Sequence, residues 1–155
     1  MPKFSSNSGT LYFEQHGSRA NPPVLLIHGL GLQIVHWPNS FIDGIVNAGF
    51  RVITLDNRDA GLSFSVDVEP ASIEQIVISQ ANPKSLKSPY TLTDMANDAV
   101  ALLDHLGQAG AHVVGMSMGG MIAQRMAIHH PSRIFTLTSM MSSTGDPKLE
   151  MPTEE

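Results

Sequence analysis

Four short apolar runs stand out along the chain: VLLIHG (Val24 to Gly29), FRVITLD (Phe50 to Asp56), HVVGMS (His112 to Ser117) and IFTLTSMM (Ile134 to Met141). None alternates apolar with polar residues, which suits strands buried on both faces of a parallel sheet. Between them, Asn39 to Ala48, Leu92 to Leu106 and Met118 to His129 carry apolar residues at helical spacing. The second of these begins at YTLTD, where Thr91 can cap the helix with Asp94 three residues on, and ends before Gly107. The third stops at Pro131, which cannot continue a helix. Strand alternating with helix predicts an α/β fold with right-handed crossovers and a mostly parallel sheet. Ahead of it, KFSSNSGTLYFEQHG predicts an antiparallel hairpin turning at Asn7 to Gly9. Residues 64–89 carry Pro70, Pro83, Pro89 and a short helical stretch from Ser72 to Ser79, and are expected to pass over the top of the sheet.

Chemistry enters at AHVVGMSMGG, residues 111–120. Ser117 is the centre of a G-x-S-x-G placed between a predicted strand and a predicted helix. A serine nucleophile needs that context, because it sits on a strained strand-to-helix turn whose small neighbours let the backbone pass. The following helix N-terminus offers free N–H groups and a positive dipole to a developing oxyanion. HGLG, residues 28–31, follows an earlier strand, and its glycines can aim a second backbone donor at the same oxygen. A dinucleotide-binding reading of Gly29, Gly31 and Asp56 lacks its third glycine, since Ile34 stands there, and His36-Trp37-Pro38 interrupts the helix it would need. LDNRDAGLS, residues 55–63, reads as a polar turn in which Asp56 and Arg58 pair and support the site, with Gly61 relaxing the backbone.

Composition narrows the function classes. The 155 residues include 42% apolar ones, enough for a core of one domain. Nine basic against fourteen acidic residues give a net charge of −5 with no basic cluster, which argues against nucleic-acid binding and against anionic membrane surfaces. The absence of cysteine excludes disulfides, zinc thiolate sites and a thiol nucleophile. The N-terminus lacks the apolar core of a signal peptide and no run is long enough to span a bilayer, so a cytoplasmic protein is expected.

HGLG, DNRDAGLS, YTLTDMANDAVALLDHLG and AHVVGMSMGGMIAQRMAIHHPSRI occur in the order and spacing of the α/β-hydrolase superfamily, and from about residue 10 to 145 the chain resembles its branch of aclacinomycin methylesterase and proline iminopeptidase. The resemblance implies that Ser117 is the nucleophile, that the backbone N–H groups of Leu30 and Met118 form the oxyanion hole, and that no metal or organic cofactor is needed. It implies a sheet made of the family's first six strands, with residues 1–155 forming the N-terminal part of a single domain and residues 146–155 a polar tail. The expected substrate is a small-molecule ester or amide. A cofactor-free perhydrolase or haloperoxidase is also compatible with GMSMGG, and a hydrolase-like fragment that binds a ligand without turnover is a third reading.

The same resemblance calls for a triad histidine in a later part of the fold, which has no counterpart here. A serine hydroxyl is a poor nucleophile without a base. In a parallel sheet His105, His112, His129 and His130 fall at the end away from Ser117; twelve helical residues put His129 roughly 18 Å from it. His28 and His36 are on the upper face. Asp146 matches a rarer position of the triad acid. IFTLTSMM is expected to be an exposed apolar edge, inviting a second polypeptide with the C-terminal half or self-association. The isolated chain is therefore expected to be nearly inactive.

Overall fold

The computed structural model describes residues 2–69, 71–75, 78, 82 and 87–145. Six strands form one sheet: β1 (Lys3–Ser5), β2 (Thr10–His16), β3 (Pro23–Ile27), β4 (Arg51–Leu55), β5 (Ala111–Met116) and β6 (Ile134–Met140), in the order β1-β2-β4-β3-β5-β6. β1 and β2 form the antiparallel hairpin, closed where Ser6 N–H donates to Gly9 C=O at 2.9 Å. β2 pairs antiparallel with β4, and β4, β3, β5 and β6 run parallel. The parallel strands begin or end within a residue or so of the apolar runs, because His28, Asp56 and Ser117 belong to the loops that follow them.

Side-chain alternation divides the core into two layers. Leu25, Ile27, Ile53 and Leu55 face α2 (Leu92–His105) and α3 (Met118–His129), against Ala99, Leu103, Ile122 and Met126. Val24, Leu26 and Val52 face the other way, against Trp37 and Ile42 of the segment that ends in α1 (Asn39–Asn47). Every residue of β3 and β4 is buried, which is why both read as unbroken apolar runs. α2 starts with the predicted capping box: Asp94 N–H donates to Thr91 Oγ1 and Thr91 N–H to Asp94 Oδ2. Helical residues 73–75 and 78 match part of the short helix expected in the 64–89 excursion, and the remainder of that stretch, including Ser79, lies outside the described residues.

Chain order explains where a site can form. From β3 the chain crosses through α1 to β4 on one side, and β5, reached through α2, pairs on the other side of β3. The ends of β3 and β5 thus flank a switch point, the place where an open parallel sheet leaves a crevice beyond its strand ends. β6 closes the described sheet as an edge strand that pairs with β5; most of its residues are exposed, Phe135 and Leu137 among them. No described helix is long and apolar enough to cross a membrane.

Candidate active site

Ser117 stands alone between the last residue of β5 and the first of α3, with φ 55° and ψ −123°. That conformation is costly for any residue with a Cβ. The turn is possible because its neighbours are bare. A Cβ on Gly115 would lie 2.2 Å from Gly119 C=O oxygen, and one on Gly119 would lie 2.1 Å from that of Ile27, so α3 rests directly on β5 and β3. Two hydrogen bonds fix the serine backbone: its N–H donates to Met140 C=O at 2.9 Å and its C=O accepts from Gly120 N–H at 2.9 Å. Its side chain is exposed.

The HGLG loop comes up against the serine. A Cβ on Gly29 would sit 3.1 Å from Ser117 Cβ and 3.5 Å from its Oγ, so the missing side chain lets the loop backbone approach. Gly31 has φ +69°, and Leu32 N–H donates to Gly29 C=O at 3.3 Å, making a tight turn that leaves Leu30 79% exposed. Met118 occupies the first position of α3, where backbone N–H groups have no partner within the helix. Leu30 and Met118 thus flank one cavity, and both line it.

Two residues after β4 tie down both ends of this loop. Asn57 Nδ2 donates to His28 C=O at 3.2 Å, and Asp56 Oδ1 accepts from Ile34 N–H at 2.8 Å. The second Asp56 oxygen accepts from Leu62 N–H at 2.9 Å, and its C=O accepts from the Ser63 hydroxyl. Gly61, at φ +55°, comes so close that a Cβ would overlap the Asp56 carboxylate. The expected Asp56–Arg58 pair does not form. Asp56 is turned under its own loop, where backbone N–H groups converge on it, while Arg58 reaches α2 instead.

There Arg58 Nε and Nη2 both lie 2.8 Å from Asp98 Oδ2, and Nη2 also donates to Asp94 C=O at 3.3 Å. Burial pushes the Asp98 carboxyl up, against the pull of Arg58. The guanidinium lies 5.0 Å from the Tyr90 ring centre and 5.5 Å from that of Phe64. Tyr90 is pushed up to about 12 by burial and by its hydrogen bond to Asp59.

None of the described histidines hydrogen-bonds the Ser117 hydroxyl. His28 is buried with its ring 4.2 Å from that of Trp37, and burial lowers its pKa, favouring the neutral imidazole. His36 Nδ1 accepts from Gln33 N–H at 2.9 Å. His112 contacts Thr136 Oγ1, His130 contacts Asn97 Oδ1, and His105 stacks on Phe4, all engaged elsewhere. Asp146 lies outside the described residues. Asn57, Asp98 and the Met140 carbonyl carry no recognisable sequence signal beyond lying near the motifs they support.

A model of the alpha/beta hydrolase fold matches residues 22–155. The chain belongs to the α/β-hydrolase family. A rhodomycin D methylesterase from Streptomyces peucetius is 37% identical over 137 residues, covering 88% of this chain and 40% of that protein. A 2-hydroxy-6-oxononadienedioate/2-hydroxy-6-oxononatrienedioate hydrolase from Paraburkholderia phymatum is 34% identical over 135 residues, 84% of this chain and 40% of that protein. Among solved structures, a hydrolase from Pseudomonas aeruginosa superposes with a TM-score of 0.74 at 25% identity, covering 92% of this chain and 46% of that one. A carboxylesterase structure from the thaumarchaeon Nitrososphaera gargenis gives a TM-score of 0.74 at 27% identity, with the same coverage of 92% and 46%. The chain spans about 40% of the length of the curated relatives it matches. The fold and the relatives support a hydrolase.

Proposed function

We propose that this chain supplies the nucleophile and the oxyanion hole of a serine esterase, and that the base lies outside it. The observation that carries the reading is the positive φ of Ser117 at the β5–α3 junction, with Gly29 packed against its hydroxyl. Such a conformation is kept where function requires it. Ser117 Oγ attacks the carbonyl carbon of an ester or amide, and the resulting oxyanion accepts hydrogen bonds from the N–H groups of Leu30 and Met118. Collapse expels the alcohol or amine and leaves an acyl-serine, which water then hydrolyses.

The proton of Oγ must go to a base, and no described histidine hydrogen-bonds the Ser117 hydroxyl. A histidine on a second polypeptide fills that role, with Asp146 as the candidate acid. The exposed strand β6 is the surface on which that polypeptide, or a second copy of this chain, pairs.

The test is a fluorophosphonate labelling experiment read by intact mass spectrometry of the purified material. The expected result is a second polypeptide travelling with the chain, and a label on Ser117 that Ser117→Ala removes. In the chain alone, loss of the base lowers turnover by roughly a millionfold. Turnover by the chain alone at the rate of an intact hydrolase overturns the external base, and a label indifferent to Ser117→Ala overturns the nucleophile.

A further inference from the structure

Two arginines among the described residues are buried, and they end differently. Arg58, 7% exposed, sets its Nε and Nη2 against Asp98 Oδ2. Arg51, 3% exposed, has the same two nitrogens buried with no hydrogen-bond partner. Nε and Nη2 share one edge of the guanidinium, and their N–H groups point the same way, matched to two oxygens of a carboxylate or phosphate.

Arg51 opens β4, at the end of the sheet away from Ser117. Its register partner in β3 is Pro23, and next along β2 from the His16–Val52 pair comes Gly17, so neither position offers it a side-chain acceptor. On the same face Gln15 stands opposite Ile53, two residues from Arg51, and its Oε1 is likewise buried without a partner. Turned end for end, that amide presents an N–H2 donor instead. Burial, and then the like charge of Arg19 on the exposed turn after β2, lowers the Arg51 pKa. Among the described residues, the charge that acts on Arg51 is therefore another cation and not a carboxylate. A guanidinium keeps its proton even when buried, so this open edge carries a desolvation cost that an anion relieves.

We infer that the Nε/Nη2 edge of Arg51 is a site for a small oxyanion of the carboxylate or phosphate type, taken from solution at the end of the sheet opposite Ser117. Gln15 is a further donor to it, and Arg19 draws the ion in past the exposed turn. Two oxygens of such an ion span both nitrogens, whereas a chloride ion has no second atom to offer, so the site prefers the oxyanion. The inference is independent of the reading of Ser117.

Equilibrium dialysis of the purified chain against radiolabelled inorganic phosphate, with chloride holding the ionic strength constant, tests this. One saturable site per chain is expected, and acetate should displace the label. Arg51→Met should weaken binding about tenfold or more, and Arg51→Lys, which keeps the charge without the fork, about threefold or more. Arg19→Met, on the exposed turn, should weaken it roughly twofold. Thermal unfolding gives a readout without the label: phosphate in place of chloride should raise the midpoint of the parent more than that of Arg51→Met. If Arg51→Met does not fold, Arg51→Lys takes its place in both measurements. An adventitious ion only, seen as phosphate binding that the Arg51 variant leaves unchanged, overturns the inference. Absence of saturable binding, or an equal rise in the two midpoints, overturns it as well.

Discussion

Asp56 and Ile34 are 22 residues apart in sequence and joined by a single buried hydrogen bond, Ile34 N–H to Asp56 Oδ1 at 2.8 Å. With Asn57 holding His28 C=O, that bond fixes the HGLG loop at both ends, so the position of the Leu30 N–H depends on a dipeptide in a different loop. Asp56→Ala strands the Ile34 N–H in the interior and also removes the acceptor of Leu62 N–H. The expected loss of stability is about 2–4 kcal/mol, since an unsatisfied buried donor carries its full desolvation cost. Asp56→Asn keeps an acceptor for one of the two donors and should recover about half of it. Urea unfolding of the three proteins measures both differences.

The Arg58–Asp98 pair gives a prediction with a sign in pH. Both side chains are buried, so Arg58→Met leaves an isolated carboxylate in the core and should cost about 3–5 kcal/mol near neutral pH. In the intact chain, burial holds the Asp98 carboxyl above its ordinary value of 3.8. The folded state therefore binds this proton more tightly than the unfolded state does. Stability supplied by Asp98 is complete below the ordinary value and declines as pH rises through the raised one. Unfolding free energies of the parent minus those of Asp98→Asn should fall as pH increases from 3 toward 7, in experiments at roughly one-unit steps. A difference that rises with pH would mean that Arg58, and not burial, dominates the carboxyl.

Much of this was legible before any coordinates. Apolar runs gave β3 and β4 because strands buried on both faces carry no alternation to obscure them, and gave β5 and the exposed edge strand β6 by their apolar content although neither is buried on both faces. The Thr91–Asp94 box marked the start of α2 through local chemistry alone. Ser117 was legible for a similar reason: G-x-S-x-G is a steric requirement written in adjacent residues, and Gly115 and Gly119 are bare where α3 touches β5 and β3. What the sequence did not show is pairing across distance. Asp56 and Arg58 are two apart and opposite in charge, which invites a local pair, yet the partner of Arg58 is 40 residues on, facing inward from a helix. Asn57 was unreadable because nothing in its own neighbourhood indicates that its amide reaches His28 C=O.

The backbone of Ser117 should be a measurable reservoir of strain. At φ 55° and ψ −123° a residue with a Cβ is disfavoured, and glycine is not. Ser117→Ala keeps the Cβ and removes only the hydroxyl, so it should leave stability nearly unchanged. Ser117→Gly should be more stable than Ser117→Ala by about 1–2 kcal/mol, less than the full relief of strain because glycine gains freedom in the unfolded chain. Both variants should lose labelling by the fluorophosphonate. Equal stability of the two would show that the surrounding backbone, not the side chain, sets the conformation.

Strand β6 carries a prediction about how the 155-residue chain behaves in solution. Phe135 and Leu137 are 51% and 39% exposed on a parallel edge whose inner neighbour, β5, is well buried at Ala111 and Val113. An exposed apolar edge offers unpaired backbone donors and acceptors beside a hydrophobic surface, and natural proteins commonly block such edges with a charge. None of the seven residues of β6 is charged. The chain without a second polypeptide should therefore self-associate, and Leu137→Lys should shift it to monomer by placing an ammonium group at the centre of the edge. Light scattering across a tenfold concentration range checks this. Phe135→Lys should act in the same direction, whereas Ile128→Lys, an exposed apolar residue near the end of α3 and outside the sheet edge, should leave association unchanged. If Ile128→Lys dissociates the assembly and Leu137→Lys does not, association runs through the helical layer, and β6 is not the surface on which a completing partner pairs.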